Sequence, residues 1–188
     1  MSAPEYVEYH DAEWGRPVRD SHGLYERLCL EAFQSGLSWL TILRKRENFR
    51  RAFAGFDFER VARFGARDIK RLMNDSSIVR NRLKIEAAVN NARCAVELVD
   101  SEGSLGSYVW RFEPPERHRP LDRAALAKLS FTPESTALAK DLKRRGWRFV
   151  GPTTVYAFMQ AMGIVNDHLD GCDSHAAVAK ARAGFKRP

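Results

Sequence analysis

Apolar residues recur in this chain at three- and four-residue spacing over long stretches, while the alternation that marks strands is weak throughout. After Ser21, read as an N-cap, Leu24, Tyr25, Leu28, Cys29, Ala32 and Phe33 form one helical stripe that Gly36 stops. A second starts near Ser38 and carries Trp39, Ile42, Leu43, Phe49 and Phe53 as far as Gly55. Asp57 is placed to cap a short third helix with Val61 and Phe64, and Ile69, Leu72 and Met73 mark a fourth. Beyond Ser76 and Ser77, the residues Ile85, Ala88, Val89, Ala92, Val96 and Val99 give a long stripe. Gly103 to Gly106 reads as a turn and Tyr108 to Phe112 as a short helix. Glu113 to Asp122, with three prolines, is the best loop candidate. Thr132-Pro133-Glu134 signals a helix start and Gly146 a stop, and Pro152 to Met162 is a mostly apolar helix closed by Gly163. The expected fold class is all-α.

The 188 residues, 44% hydrophobic, suffice for one or two small domains sharing a core. Lys and Arg outnumber Asp and Glu by 31 to 24, a formal charge of +7, so a polyanion would be attracted over long range. The same excess also serves plain solubility. Cys29, Cys94 and Cys172 show no disulfide framework, which favours a reducing compartment, with the cytoplasm as default. No apolar run approaches the length of a membrane span, and no membrane role is expected. The stretch from Ala176 to Pro188 bears only basic charges and reads as a loosely held DNA-contacting arm or a frayed terminus.

Two segments carry chemistry: Tyr9-His10-Asp11-Ala12-Glu13-Trp14-Gly15 and Leu30-Glu31-Ala32-Phe33-Gln34-Ser35-Gly36-Leu37-Ser38-Trp39. They gather aromatic faces, a carboxylate and a glycine-flanked apolar tip. An enzyme that holds a base outside a duplex needs those parts, because stacking must replace the lost base stack and a polar group must read the exposed edge. Periodicity alone does not bury the carboxylate. Glu31 follows Leu24 by seven residues and so lies about 20° from it, at the border of the apolar arc, where carboxylates are most often solvated.

These segments resemble those of the 3-methyladenine DNA glycosylase I family. The resemblance continues through Ser77-Ile78-Val79-Arg80-Asn81-Arg82, Gly146-Trp147-Arg148-Phe149-Val150-Gly151-Pro152-Thr153-Thr154 and Val165-Asn166-Asp167-His168. It implies a helix-hairpin-helix glycosylase-like unit over 1–188, with two helical lobes around a base-binding cleft. The lobes would be 21–112 and 1–20 plus 113–175, followed by a basic tail, 176–188. It implies that Glu31 accepts hydrogen bonds from a flipped methylated adenine, with Tyr9, Trp14 and Trp39 as pocket aromatics and Tyr6 as a candidate lid. For Trp14 ordinary core packing is the competing reading.

Methylation at N3 makes the adenine cationic and weakens its glycosidic bond, so the base can depart neutral with little general acid. An aromatic cage and a carboxylate then supply discrimination and part of the rate, while water attacks the sugar. No separate catalytic aspartate and no Schiff-base lysine is nominated, so the expected enzyme is monofunctional. It would excise 3-methyladenine from alkylated double-stranded DNA in base excision repair, releasing the free base, and act as a monomer. The alternatives are the same fold with a different lesion range, or a non-catalytic DNA-binding helix-hairpin-helix protein.

Gln34, Gly36 and Leu37 are the candidates for filling the gap left by a flipped nucleotide, against a plain helical corner with Leu37 in the core. Asp75 to Lys84 resembles the hairpin, with Ser77, Arg80, Arg82 and Lys84 as phosphate-binding candidates. Ser77 and Leu83 stand where glycines are common. His10, His168 and Cys172 match three of the family's four zinc ligands; the fourth, a cysteine, and one pocket aromatic have no counterpart in the opening segment. Glu5, Asp170 and His175 are substitute candidates. Hydrogen-bonded histidines and a free thiol are the alternative to a structural zinc site.

Overall fold

A computed structural model describes residues 3–115 and 122–188. Its helices are α1 (Pro4–Ala12), α2 (Ser21–Gln34), α3 (Trp39–Ala52), α4 (Phe58–Val61), α5 (Ala66–Asn74), α6 (Arg82–Glu102), α7 (Leu105–Val109), α8 (Arg123–Lys128), α9 (Pro133–Arg144), α10 (Pro152–Ala161) and α11 (Asp173–Ala183). No strand occurs among the described residues, and none of their helices is long and apolar enough to cross a membrane. Most of the expected loop from Glu113 to Asp122 lies outside the described residues.

Local chemistry explains most boundaries. The side chains of Ser38, Asp57 and Asn81 accept from the backbone N–H groups of Thr41, Arg60 and Lys84, filling donors that a helix start leaves open. Thr132 caps α9 with Pro133 in the first turn, as its sequence signal requires. At α2 the cap is Asp20 rather than Ser21: its carboxylate accepts from Gly23 N at 2.7 Å. Ser21 instead accepts from Leu105 N, tying α2 to α7. Gly36, Gly103 and Gly146 adopt positive φ after α2, α6 and α9, a conformation that costs other residues more. Gly106 is not part of a turn; it lies inside α7 and packs against the Arg19 carbonyl.

The apolar stripe of α2 is the centre of the molecule, packed by α3, α6, α7 and α10. Phe33 of that stripe meets the rings of Phe49 and Phe53 at tilted and edge-on angles, all three fully buried. Three helices had no clear sequence signal: α1, whose one buried residue is Tyr9, the short α8, which has none, and α11, which lies largely in the stretch read as a loose arm.

The C-terminal stretch is not a loose arm. Val178 is buried, and Arg182 donates to the Gly163 carbonyl and to Glu113. Phe185 packs on Trp110 with ring centroids 4.6 Å apart, so the basic residues hold the terminus on the body. A stretch with only positive charges could not reveal this, because its counter-charge, Glu113, lies far upstream.

Candidate active site

A cavity of about 320 Å³ lies where α1, α2, α3 and α10 meet. Its wall includes Tyr6 and Tyr9 from α1, Trp14 from the following turn, Glu31 and Gln34 from α2, and Trp39 from α3. The expected base-binding residues therefore share one hollow. Tyr9 and Trp39 are buried with ring centroids 5.4 Å apart, and Tyr6 meets the edge of Tyr9 while remaining exposed. Trp14 both lines the cavity and packs on the core, its ring 4.6 Å from that of His168. The indole N–H of Trp39 is buried without a hydrogen-bond partner among the described residues.

Glu31 is only 5% exposed. Its helix turns it toward α1 and α3 rather than to water, and burial pushes its carboxyl above the usual range. Arg27, one turn earlier, opposes that shift: its Nε donates to Glu31 Oε1 at 2.9 Å. Sequence reasoning missed Arg27. The available signal was its four-residue spacing to Glu31. Ala157 and Gln160 of α10 were also missed, because they come from a helix read only as apolar.

The DNA-facing candidates divide. Gly36 and Leu37 follow α2 directly, and Leu37 is 41% exposed, so it is not a core residue of a plain corner. Arg80 is exposed, and Arg82 is exposed with a loose pair to Glu86 at 3.3 Å. Ser77 does not adopt positive φ; its N–H and hydroxyl both donate to Asp75 Oδ1, so serine suits the turn without strain. Lys84 is a correction. Its ammonium is buried against the carbonyls of Phe33 and Ser35, and so is not displayed toward a phosphate.

His10, His168 and Cys172 come together, with their donor atoms all within 4.8 Å of one another. His168 Nδ1 lies 3.0 Å from Asn166 Oδ1, which fixes the proton there and leaves Nε2 as a lone pair. That Nε2 is buried with no partner among the described residues. Burial lowers the His168 pKa to about 4, keeping the ring neutral at neutral pH. Gly15 makes the approach possible, because a Cβ there would meet His168 Cε1 at 2.8 Å. Among the described residues no fourth His, Cys, Asp or Glu joins the group, and Glu5 is paired with Arg44 instead.

The family model for methyladenine glycosylase matches residues 1–175. DNA-3-methyladenine glycosylase 1 of Escherichia coli (strain K12) is 46% identical over 173 residues, covering 90% of this chain and 90% of its own. A solved structure of 3-methyladenine DNA glycosylase I superimposes with a TM-score of 0.86 at 46% identity, covering 93% of this chain and 96% of that one. The structure of the Staphylococcus aureus enzyme, described for its recognition of 3-methyladenine, superimposes with a TM-score of 0.87 at 39% identity, covering 93% of each. A match running from the aromatic N-terminal segment through the histidine-bearing C-terminal one, together with the shared fold, makes this chain a member of the methyladenine glycosylase family.

Proposed function

We propose that this chain is a monofunctional DNA glycosylase that excises 3-methyladenine from alkylated double-stranded DNA by hydrolysing the N-glycosidic bond, opening base excision repair. The carrying observation is a buried carboxylate, Glu31, lining an aromatic cavity with Tyr9 and Trp39. The relatives are named as DNA-3-methyladenine glycosylases. A binding-only helix-hairpin-helix module has no use for such a cage.

In the reaction a flipped base stacks against Tyr9 and Trp39, and Glu31 accepts from its polar edge. The bond between sugar and base breaks with its electron pair moving to the base, which leaves uncharged. Water adds to the sugar carbon and gives its proton to solvent. Leu37, beside Gly36 and next to the cavity-lining Gln34, fills the vacated stack, and the hairpin from Asp75 with Arg80 and Arg82 holds phosphate. The helical body 21–112 and the terminal segments 1–20 and 113–175 form two lobes, with the cavity between them. The enzyme works as a monomer in the cytoplasm, a compartment that suits its three free thiols.

Zinc fits the donor set of His10, His168 and Cys172, on the strength of the His168 Nε2, which has no partner among the described residues. When bound it would supply a structural cross-link between α1 and the segment leading into α11, and no chemical step. The chain's own residues orient it: Asn166 sets the His168 tautomer, and Asp11 lies 2.7 Å from His10 Nδ1.

The test is release of free 3-methyladenine from alkylated duplex DNA, with the sugar-phosphate backbone left intact. Glu31→Gln should weaken binding of the free base about tenfold to a hundredfold, the cost of replacing a charged acceptor. Absence of release by the wild type ends the reading.

A further inference from the structure

Arg27 is 6% exposed and sits inside the cage. Besides its bond to Glu31, its terminal nitrogen donates to the Tyr9 hydroxyl. Its guanidinium carbon lies 4.1 Å from the Trp39 ring centroid and 5.0 Å from that of Tyr9. The carboxylate and the two ring faces are what the cavity would offer a cationic base, and all three are already engaged by a cation of the chain itself. Burial lowers the Arg27 pKa to about 10, which still leaves it charged at neutral pH.

The charge balance of the cavity follows. Arg27 and Glu31 together are close to neutral, so the field inside is not that of a lone carboxylate. A second cation stacked on Trp39 would stand within a few ångströms of the guanidinium, with little water to screen the repulsion. An uncharged purine pays no such penalty and can accept a hydrogen bond from the guanidinium.

Resting on the glycosylase reading above, we propose that Arg27 is a specificity-determining residue that makes this cavity select the neutral form of an alkylated purine over its cationic form. The reaction converts one into the other. N3-methylated adenine is cationic while joined to its sugar and uncharged once the bonding pair has moved onto it. Arg27 therefore destabilises the charged ground state relative to the departing base, so binding energy appears as the bond breaks.

The test is calorimetric titration of the full chain at mildly alkaline pH with two probes that carry the same N3 methyl group. One is free 3-methyladenine, uncharged there; the other is its N9-methylated derivative, a permanent cation. The wild type should bind the neutral probe more tightly, and Arg27→Met should shift the preference toward the cation by about tenfold or more. Arg27→Gln, which keeps a donor for Glu31 without the charge, should shift it the same way and serves if the Met variant does not fold. A merely structural role would change both affinities together, so an unchanged ratio with measurable binding overturns the role of Arg27 alone. If neither probe binds the wild type or a folded variant, the base-site reading falls and takes this inference with it.

Discussion

Lys84 at the start of α6 reaches back to the end of α2, where its Nζ donates to the Phe33 carbonyl at 2.9 Å and also to that of Ser35. A helix end leaves its last carbonyls without intrahelical partners, and here a buried ammonium supplies them. The contact fixes the turn carrying Gly36 and Leu37 to the hairpin helix. Lys84→Met should cost about 1–3 kcal/mol of stability in urea unfolding, because it strands buried acceptors. Arg80→Ala, at an exposed position, should change stability by less than about 0.5 kcal/mol. It should instead lower the slope of log affinity for DNA against log salt by about one. Equal salt slopes for Arg80→Ala and wild type would remove Arg80 from the phosphate contacts.

Leu37 presents apolar surface to solvent at a turn, where it contributes little to the fold. Leu37→Ala should leave thermal stability and free-base binding unchanged while slowing excision from duplex DNA by about tenfold, since the unstacked gap is no longer filled. Single-turnover release from alkylated duplex is the measurement. Full excision by the variant would return Leu37 to the status of an exposed corner residue.

Asp141 of α9 is half of a pH-dependent brace. Burial alone would raise its pKa, but the Tyr108 hydroxyl at 2.8 Å, Arg145 at 2.9 Å and Arg144 outweigh burial and hold it down to about 2. A depressed carboxylate pKa means that the folded chain resists protonation. The stabilisation is complete above the ordinary value of 3.8 and is lost as pH falls toward about 2. Asp141→Asn should therefore be less stable than wild type at neutral pH, with the gap closing over that acid window. Urea midpoints taken across it would show a constant gap if the brace were not electrostatic.

Metal analysis should find about one zinc per chain in protein prepared with zinc present. Cys172→Ser should lose that metal and melt earlier, and chelation of the wild type should reproduce the shift. Wild type that melts identically with and without a chelator would leave His10, His168 and Cys172 as a cluster without a metal.

The sequence by itself determined the helices with long apolar stripes, such as α2 and α6, the helix starts near Ser38 and at Thr132, and the cap at Asp57, because periodicity and capping are local properties. Resemblance supplied the residues around the cavity. Only the tertiary structure decided which charges remain free. Glu31 sits on the border of its stripe, and its burial depends on α1 and α3 closing over it, two elements whose contact no local pattern encodes. No motif marks Arg27, and Lys84 reads as a phosphate contact, yet one lies in the aromatic cage and the other ends on backbone carbonyls. The charged C-terminal stretch was illegible for the same reason. A side chain's charge is written in its own residue, but the partner that consumes or exposes that charge is chosen by the packing of distant segments.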